Sequence, residues 1–213
     1  LSLILMMKIF LLIFLTISSL GIAQNTDQET SQNDYLLAEN YYREGAYQKA
    51  TQVFKKLYES NLFNTAYLGR LISCYQETDQ FLIAENLLKD RIKANKNEVY
   101  LYVYLGYNYE KQQQQEKAQE YYKVALTSLE KNAAYGGAIG RLFKEYNLLD
   151  EAILAYEKTM GLNKNANYNF QIAQIYGEQG DFKKMFESYI DLVDKNEQYF
   201  SLIQRYASKY ITE

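Results

Sequence analysis

Apolar and polar positions between Leu101 and Leu129 follow the period of an α-helix, and they do so twice. Leu101, Leu105 and Tyr109, or Tyr102, Leu105 and Tyr109, fall on one face of a first segment. Ala118, Tyr121, Tyr122, Ala125, Leu126 and Leu129 fall on one face of a second, and Gln112–Gln115 reads as a solvated bend between them. Shifting the window by 34 residues either way returns the same residue types: the small residue of the second segment recurs as Ala50, Ala84, Ala118 and Ala152. The aromatic of the first recurs as Tyr41, Tyr75, Tyr109, Phe143, Tyr176 and Tyr210. Aromatics make up 15% of the sequence, so six matches in six arise by chance on the order of once in 10⁵. A period of this length predicts stacked two-helix units, each relying on its neighbours to cover its apolar faces.

The pattern resembles the tetratricopeptide repeat (TPR), a pair of antiparallel helices. Repeat one supplies Leu37, Ala38, Tyr41, Gly45, Tyr47, Ala50 and Phe54, and repeat two Leu71, Tyr75, Phe81, Ala84 and Leu88. Repeat three has Leu105, Gly106, Tyr109, Ala118, Tyr122 and Ala125. Repeat four has Ile139, Gly140, Phe143, Ala152 and Tyr156; repeat five has Ile172, Ala173, Tyr176, Gly180, Phe182 and Tyr189. The resemblance implies an all-α fold, an α-solenoid of about five helix pairs plus a final single helix, wound into a right-handed superhelix. The repeats fall at about 34–63, 64–97, 98–131, 132–164 and 165–198, with a terminal helix at 199–213.

Close crossing of the two helices requires small side chains, the task of Gly106 and Ala118. Three departures from the pattern stand out. Ile72 occupies the small position held elsewhere by Ala38, Gly106, Gly140 and Ala173, which predicts an irregular second repeat with its helices pushed apart. Met185 stands where the other repeats carry alanine, and one residue is lost between repeats four and five. Proline, which commonly ends the second helix of a TPR, is absent, so the turns between repeats must be set in another way. Within the repeats the turn position reads Gly45, Asp79, Gln113, Asn147 and Gly180; only Gln113 is a poor turn former. Asp34 is expected to cap the first helix.

Leu1–Ala23 has a different chemistry. Lys8 precedes an apolar run of twelve, Ile9–Leu20, and Gly21 and Ala23 sit at a plausible cleavage boundary. This reads as a secretory signal peptide, too short for the roughly 20 residues of a spanning helix. Residues 24–33 (QNTDQETSQN) read as a flexible linker. The mature protein is therefore expected to be exported, periplasmic or associated with the cell envelope. At the other end, Ile203, Tyr206, Ala207 and Tyr210 match a sixth first helix. Two readings stay open for it: a cap, or the lead into further TPR units with self-association through this C-terminal helix as another use.

Charge and composition narrow the chemistry. Removing residues 1–23 takes away only Lys8, leaving 22 basic against 26 acidic residues. A mildly acidic chain is a poor match for nucleic acid, and no membrane contact is expected after signal cleavage. No histidine is present, which removes the commonest general base and metal ligand. Cys74 is the single cysteine and reads as a small buried thiol. Gly136–Arg141 (GGAIGR) has glycines like a phosphate-cradling loop but lacks the following Lys-Ser/Thr and falls within a predicted helix. There, Gly140 serves close packing and Gly137 is expected to open a groove. No catalytic residue, metal site or cofactor is expected, and so no enzyme.

The resemblance also places a binding surface on the first helices, where family members hold peptides or partner proteins in a concave groove. Carried over by position, it points to Tyr35, Glu39, Tyr42 and Arg43 in repeat one and to Tyr100, Tyr107 and Glu110 in repeat three. Repeat four gives Arg141 and Lys144, and repeat five Phe170 and Gln174. Glu39 and Ser73 stand where some family members carry the asparagine that clamps a C-terminal carboxylate, so that mode is not implied. The function expected is a protein–protein interaction scaffold of a bacterial envelope or periplasm. The alternative is a carrier or sensor holding a peptide or small ligand in the same groove.

Overall fold

A computed structural model describes residues 30–211. The signal-peptide segment, 1–23, and linker residues 24–29 lie outside the described residues. Every regular element among the described residues is helical. Repeat one holds helices α1 (residues 30–43) and α2 (Tyr47–Ser60), and repeat two α3 (Thr65–Glu77) and α4 (Phe81–Ala94). The third is α5 (Leu101–Glu110) with α6 (Gln115–Ser128), and the fourth α7 (Gly136–Glu145) with α8 (Leu149–Leu162). The fifth is α9 (Asn169–Glu178) with α10 (Phe182–Lys195), and α11 (Phe200–Ile211) follows. Single 3₁₀ turns at Ala133–Tyr135 and Glu197–Tyr199 lead into α7 and α11.

The turn inside each pair is the same object five times. Gly45, Asp79, Gln113, Asn147 and Gly180 all have positive φ, between 57° and 77°. Beyond each, the next N–H reaches back to the carbonyl of the periodic aromatic: Ala46 to Tyr41, Gln80 to Tyr75, Gln114 to Tyr109, Leu148 to Phe143 and Asp181 to Tyr176, all at 2.8–3.0 Å. This left-handed closure satisfies carbonyls that the helix end would otherwise leave open. Position, not residue type, dictates the conformation, since Gln113 adopts it as fully as the glycines do.

Asparagine takes over the role of the missing proline between repeats. The side chains of Asn61, Asn95, Asn132, Asn163 and Asn196 each accept from the backbone N–H two residues on, at 3.0–3.2 Å. Such Asx turns stop one helix and aim the chain into the next. Asn64 adds a true cap, its Oδ1 accepting from the N–H groups of Ala66 and Tyr67.

The described residues form two compact units, one ending at Ala84 and the other starting at Glu85. In the first, α2 packs on α3, with Ala38, Ala50, Phe54, Leu68 and Leu71 buried. In the second, α5 pairs with α6, α7 with α8 and α9 with α10, and successive pairs stack as α5 on α7 and α6 on α8. Small residues mark the crossings: Ala118, Ala152 and Ala173 are wholly buried. A Cβ on Gly106 would lie 2.2 Å from the Tyr122 ring, and one on Gly140 2.5 Å from the Tyr156 ring.

Two repeats depart from the pattern in the sizes of their buried residues. In repeat two, Ile72 replaces the small residue while Leu88 replaces the ring found at Phe54, Tyr122, Tyr156 and Tyr189; both are fully buried. The division into two units falls inside this same repeat. In repeat five the buried Met185 lies beside Gly177, whose Cβ would meet its sulfur at 3.0 Å. That large-for-small exchange in repeat five keeps the filled volume near constant, the change that cores accept best.

The first helix corrects the expectation for Asp34. The chain is already helical at residue 30, the first described residue, so Asp34 lies within the helix rather than capping it, and residues 30–33 belong to the helix instead of the linker. The Ser31 hydroxyl gains a partner in the Tyr67 hydroxyl, 3.0 Å away on α3. The strained turn supplies a test. Gln113→Gly should stabilise the chain by about 1 kcal/mol in urea unfolding, whereas Gln119→Gly in exposed α6 should cost about 1 kcal/mol. Equal losses at both sites would contradict the turn assignment.

Candidate functional site: the first-helix faces

In the first unit α1 and α3 bring one cluster together. Glu39 accepts from Arg70 Nε at 2.5 Å, and the Arg70 guanidinium lies 5.0 Å from the centre of the Tyr42 ring. Tyr42 also packs edge-on against Tyr47 at 5.1 Å. Burial, with the Glu77 carboxylate adding to it, pushes the Tyr42 phenol up to about 12, so it stays protonated as a donor. Tyr35 leans on Phe54 and Tyr67 with ring centres 5.9 and 5.7 Å away. Arg43 is exposed, its guanidinium donating to Asn40 one turn back. Of the four residues named from sequence, three are held in this cluster and Arg43 points outward.

Arg70 and Tyr67 are not among the residues expected from sequence, yet they organise the cluster. A signal is present: Arg70 is the sole basic residue of α3, and it follows Glu39 by 31 residues, one period less one turn. Lys144 and Glu178 repeat the idea in the second unit at a spacing of 34, forming an ion pair of 2.9 Å between α7 and α9.

In the second unit Tyr107 stacks flat on Tyr146, with centres 3.8 Å apart and planes at 14°. Tyr104 meets the same Tyr146 edge-on at 5.8 Å. Glu110 accepts from the Tyr122 hydroxyl at 2.7 Å, and burial together with that carboxylate drives the Tyr122 phenol far above the ordinary tyrosine range. Phe170 is packed inward against Tyr206 and Tyr189. Tyr100, just before α5, and Gln174 on α9 are half-buried. Arg141 is exposed on α7 between the Tyr107 pair and the Lys144 pair in sequence order of the repeats. Most predicted residues therefore hold the first helices to their neighbours, and the two arginines face solvent.

Groups with chemical potential are spent on packing. Gly136, Gly137 and Gly140 lie on α7 close against Thr159, Tyr168 and Tyr156. Gly137 thus does not open a groove, because the Tyr168 hydroxyl fills the space a Cβ would need, 2.7 Å away. Cys74 is wholly buried, and that burial raises its thiol to about 12. Among the described residues, no group of three or more Cys, Asp or Glu is placed to hold a metal ion, and no helix is long and apolar enough to cross a membrane.

No family model matches the chain. A TPR repeat-containing protein of Methanocaldococcus jannaschii is 24% identical over 169 residues, covering 78% of this chain and 30% of that relative. The chain thus spans less than a third of the length of that curated relative. Among solved structures, a thermophilic TPR protein of Thermus thermophilus is 19% identical, with a TM-score of 0.44 over 85% of this chain and 99% of the other. MamA from Desulfovibrio magneticus is 14% identical, with a TM-score of 0.40 over 79% and 96%. The TPR2AB domain of yeast Sti1 in complex with pHSP90 is 14% identical, with a TM-score of 0.41 over 79% and 78%. The unit repeated here, with its 34-residue period, small-residue crossing and left-handed internal turn, is similar to the tetratricopeptide repeat, and the described residues are an array of such helix pairs. TPR-like folds generally mediate protein–protein interaction.

The buried thiol gives a direct probe of the first unit. At pH 8 a disulfide reagent should label Cys74 only as the repeat opens, at the rate seen for unfolding, and at once in urea. Immediate labelling of the folded chain would contradict the packing of α3.

Proposed function

We propose that this chain is a scaffold exported to a bacterial cell envelope that holds a partner protein or peptide on the face of its first helices. The observation that carries the reading is the pairing of fixed rings with outward arginines on that face. In the first unit Tyr42 is immobilised by Tyr47 and Arg70 while Arg43 remains exposed, and in the second Tyr107 is immobilised by Tyr146 while Arg141 remains exposed. Rigid aromatics next to arginine are the residue types that dominate interface energetics, since little freedom is lost when they are covered. Lys8, the apolar run Ile9–Leu20 and the small residues Gly21 and Ala23 support export.

Cross-linking in cells followed by purification from the envelope fraction tests this reading. Arg43→Glu with Arg141→Glu should cut recovery of a specific protein partner by about tenfold or more, with an unchanged thermal melt. Undiminished recovery would remove the first-helix face from consideration. A chain that brings down no protein but carries a small ligand in native mass spectrometry would favour the carrier reading. The mass of the recovered chain reports whether the segment before Gln24 has been removed.

A further inference from the structure

Hydroperoxides attack thiolates and thioethers, and this chain offers them few targets. It has one cysteine and four methionines, with neither histidine nor tryptophan. Met6 and Met7 lie within residues 1–23. Cys74 and Met185 are wholly buried, and burial keeps the Cys74 thiol protonated. Met160, near the end of α8, is half-buried, which makes it the accessible sulfur among the described residues. The same position holds Tyr58, Ile92, Leu126 and Val193 in the other repeats.

The Met160 sulfur is also part of the structure. It accepts the backbone N–H of Tyr168 at 3.2 Å, across the turn that leads from repeat four into repeat five. Tyr168 stands directly before α9, and its side chain makes no capping bond to that helix. It lies over the preceding repeat instead, with its ring 4.8 Å from that of Tyr156 and its hydroxyl against Gly137 of α7. One residue thus pins the entry of α9 to α7 and α8, and Met160 holds that residue by its backbone.

We infer that Met160 is a peroxide-sensitive site whose oxidation releases Tyr168 and loosens the entry of α9. The sulfur gives an electron pair to the outer oxygen of the peroxide and the O–O bond breaks. The proton of the transferred oxygen leaves with the departing hydroxide as water, so sulfur loses two electrons and peroxide gains two. An apolar thioether becomes a polar sulfoxide, which is drawn towards water and takes up more room beside the Tyr168 N–H. The inference rests on this packing alone and not on the partner-binding reading.

Dilute hydrogen peroxide applied to the folded full chain, followed by peptide mass spectrometry, should add one oxygen to Met160 while Met185 stays unmodified. Oxidation should lower the thermal melt by about 3 °C or more and speed hydrogen exchange of the peptide holding Tyr168 by about fivefold or more. Met160→Leu, which installs the residue that α6 carries at this position, should fold and keep the same melt with and without peroxide. Oxidation of Met185 as fast as Met160 overturns the inference. So does a Met160 sulfoxide that leaves melt and Tyr168 exchange unchanged, or a Met160→Leu chain that peroxide destabilises as much as the parent.

Discussion

A tyrosine ring lying against bare helix backbone is the contact from which the rest of this structure is generated. Tyr122 covers Gly106 and Tyr156 covers Gly140 so closely that a single methyl group on either glycine would overlap the ring. The second helix can approach only where the first offers no side chain, and the ring then occupies the volume that two ordinary side chains would share. The contact recurs one sequence period apart in repeats three and four, so these two crossings are placed alike within their own pairs. The Schellman-type turn fixes the other end of the hairpin, tying the residue after each left-handed position back to the periodic aromatic.

That economy explains both what the sequence discloses and what it conceals. Ala118, Ala152, Tyr122 and Tyr156 are legible because a crossing tolerates few alternatives, and their types recur. The turns between repeats stay concealed while proline is the signal sought, although Asn61, Asn95, Asn163 and Asn196 recur at nearly the same period and do the work through their side chains. Exchange of volume is harder to read, since Met185 looks like a defect until Gly177 is set beside it. The helical state of residues 30–33 is hidden for another reason: they carry no apolar period, and Ser31 finds its partner far along the chain in Tyr67.

The candidate surface is less legible than the core, and the physical cause is the abundance of tyrosine. A phenol ring suits a half-buried seam as well as an open face. Periodicity alone therefore cannot separate Tyr107, stacked on Tyr146, from a ring free to meet a ligand. Position in the repeat does better for charge. Arg70 with Glu39 and Lys144 with Glu178 join successive first helices at spacings near one period, leaving Arg43 and Arg141 as the outward cations. The internal comparison of repeats extends this logic, since Met160 is conspicuous only as the one sulfur at a position held elsewhere by Tyr58, Ile92, Leu126 and Val193.

If ring-on-backbone packing sets the crossings, importing the residue pair of repeat two into repeat three should preserve it. Urea unfolding of Gly106→Ile, Tyr122→Leu and the double variant measures this as a double-mutant cycle. Each single change should cost about 2–4 kcal/mol, the first by overpacking and the second by leaving a void. The double variant should lose at least about 1 kcal/mol less than the two losses combined. Strictly additive losses would mean that residues 106 and 122 do not share one space, and the crossing described here would not be what holds the helix pair together.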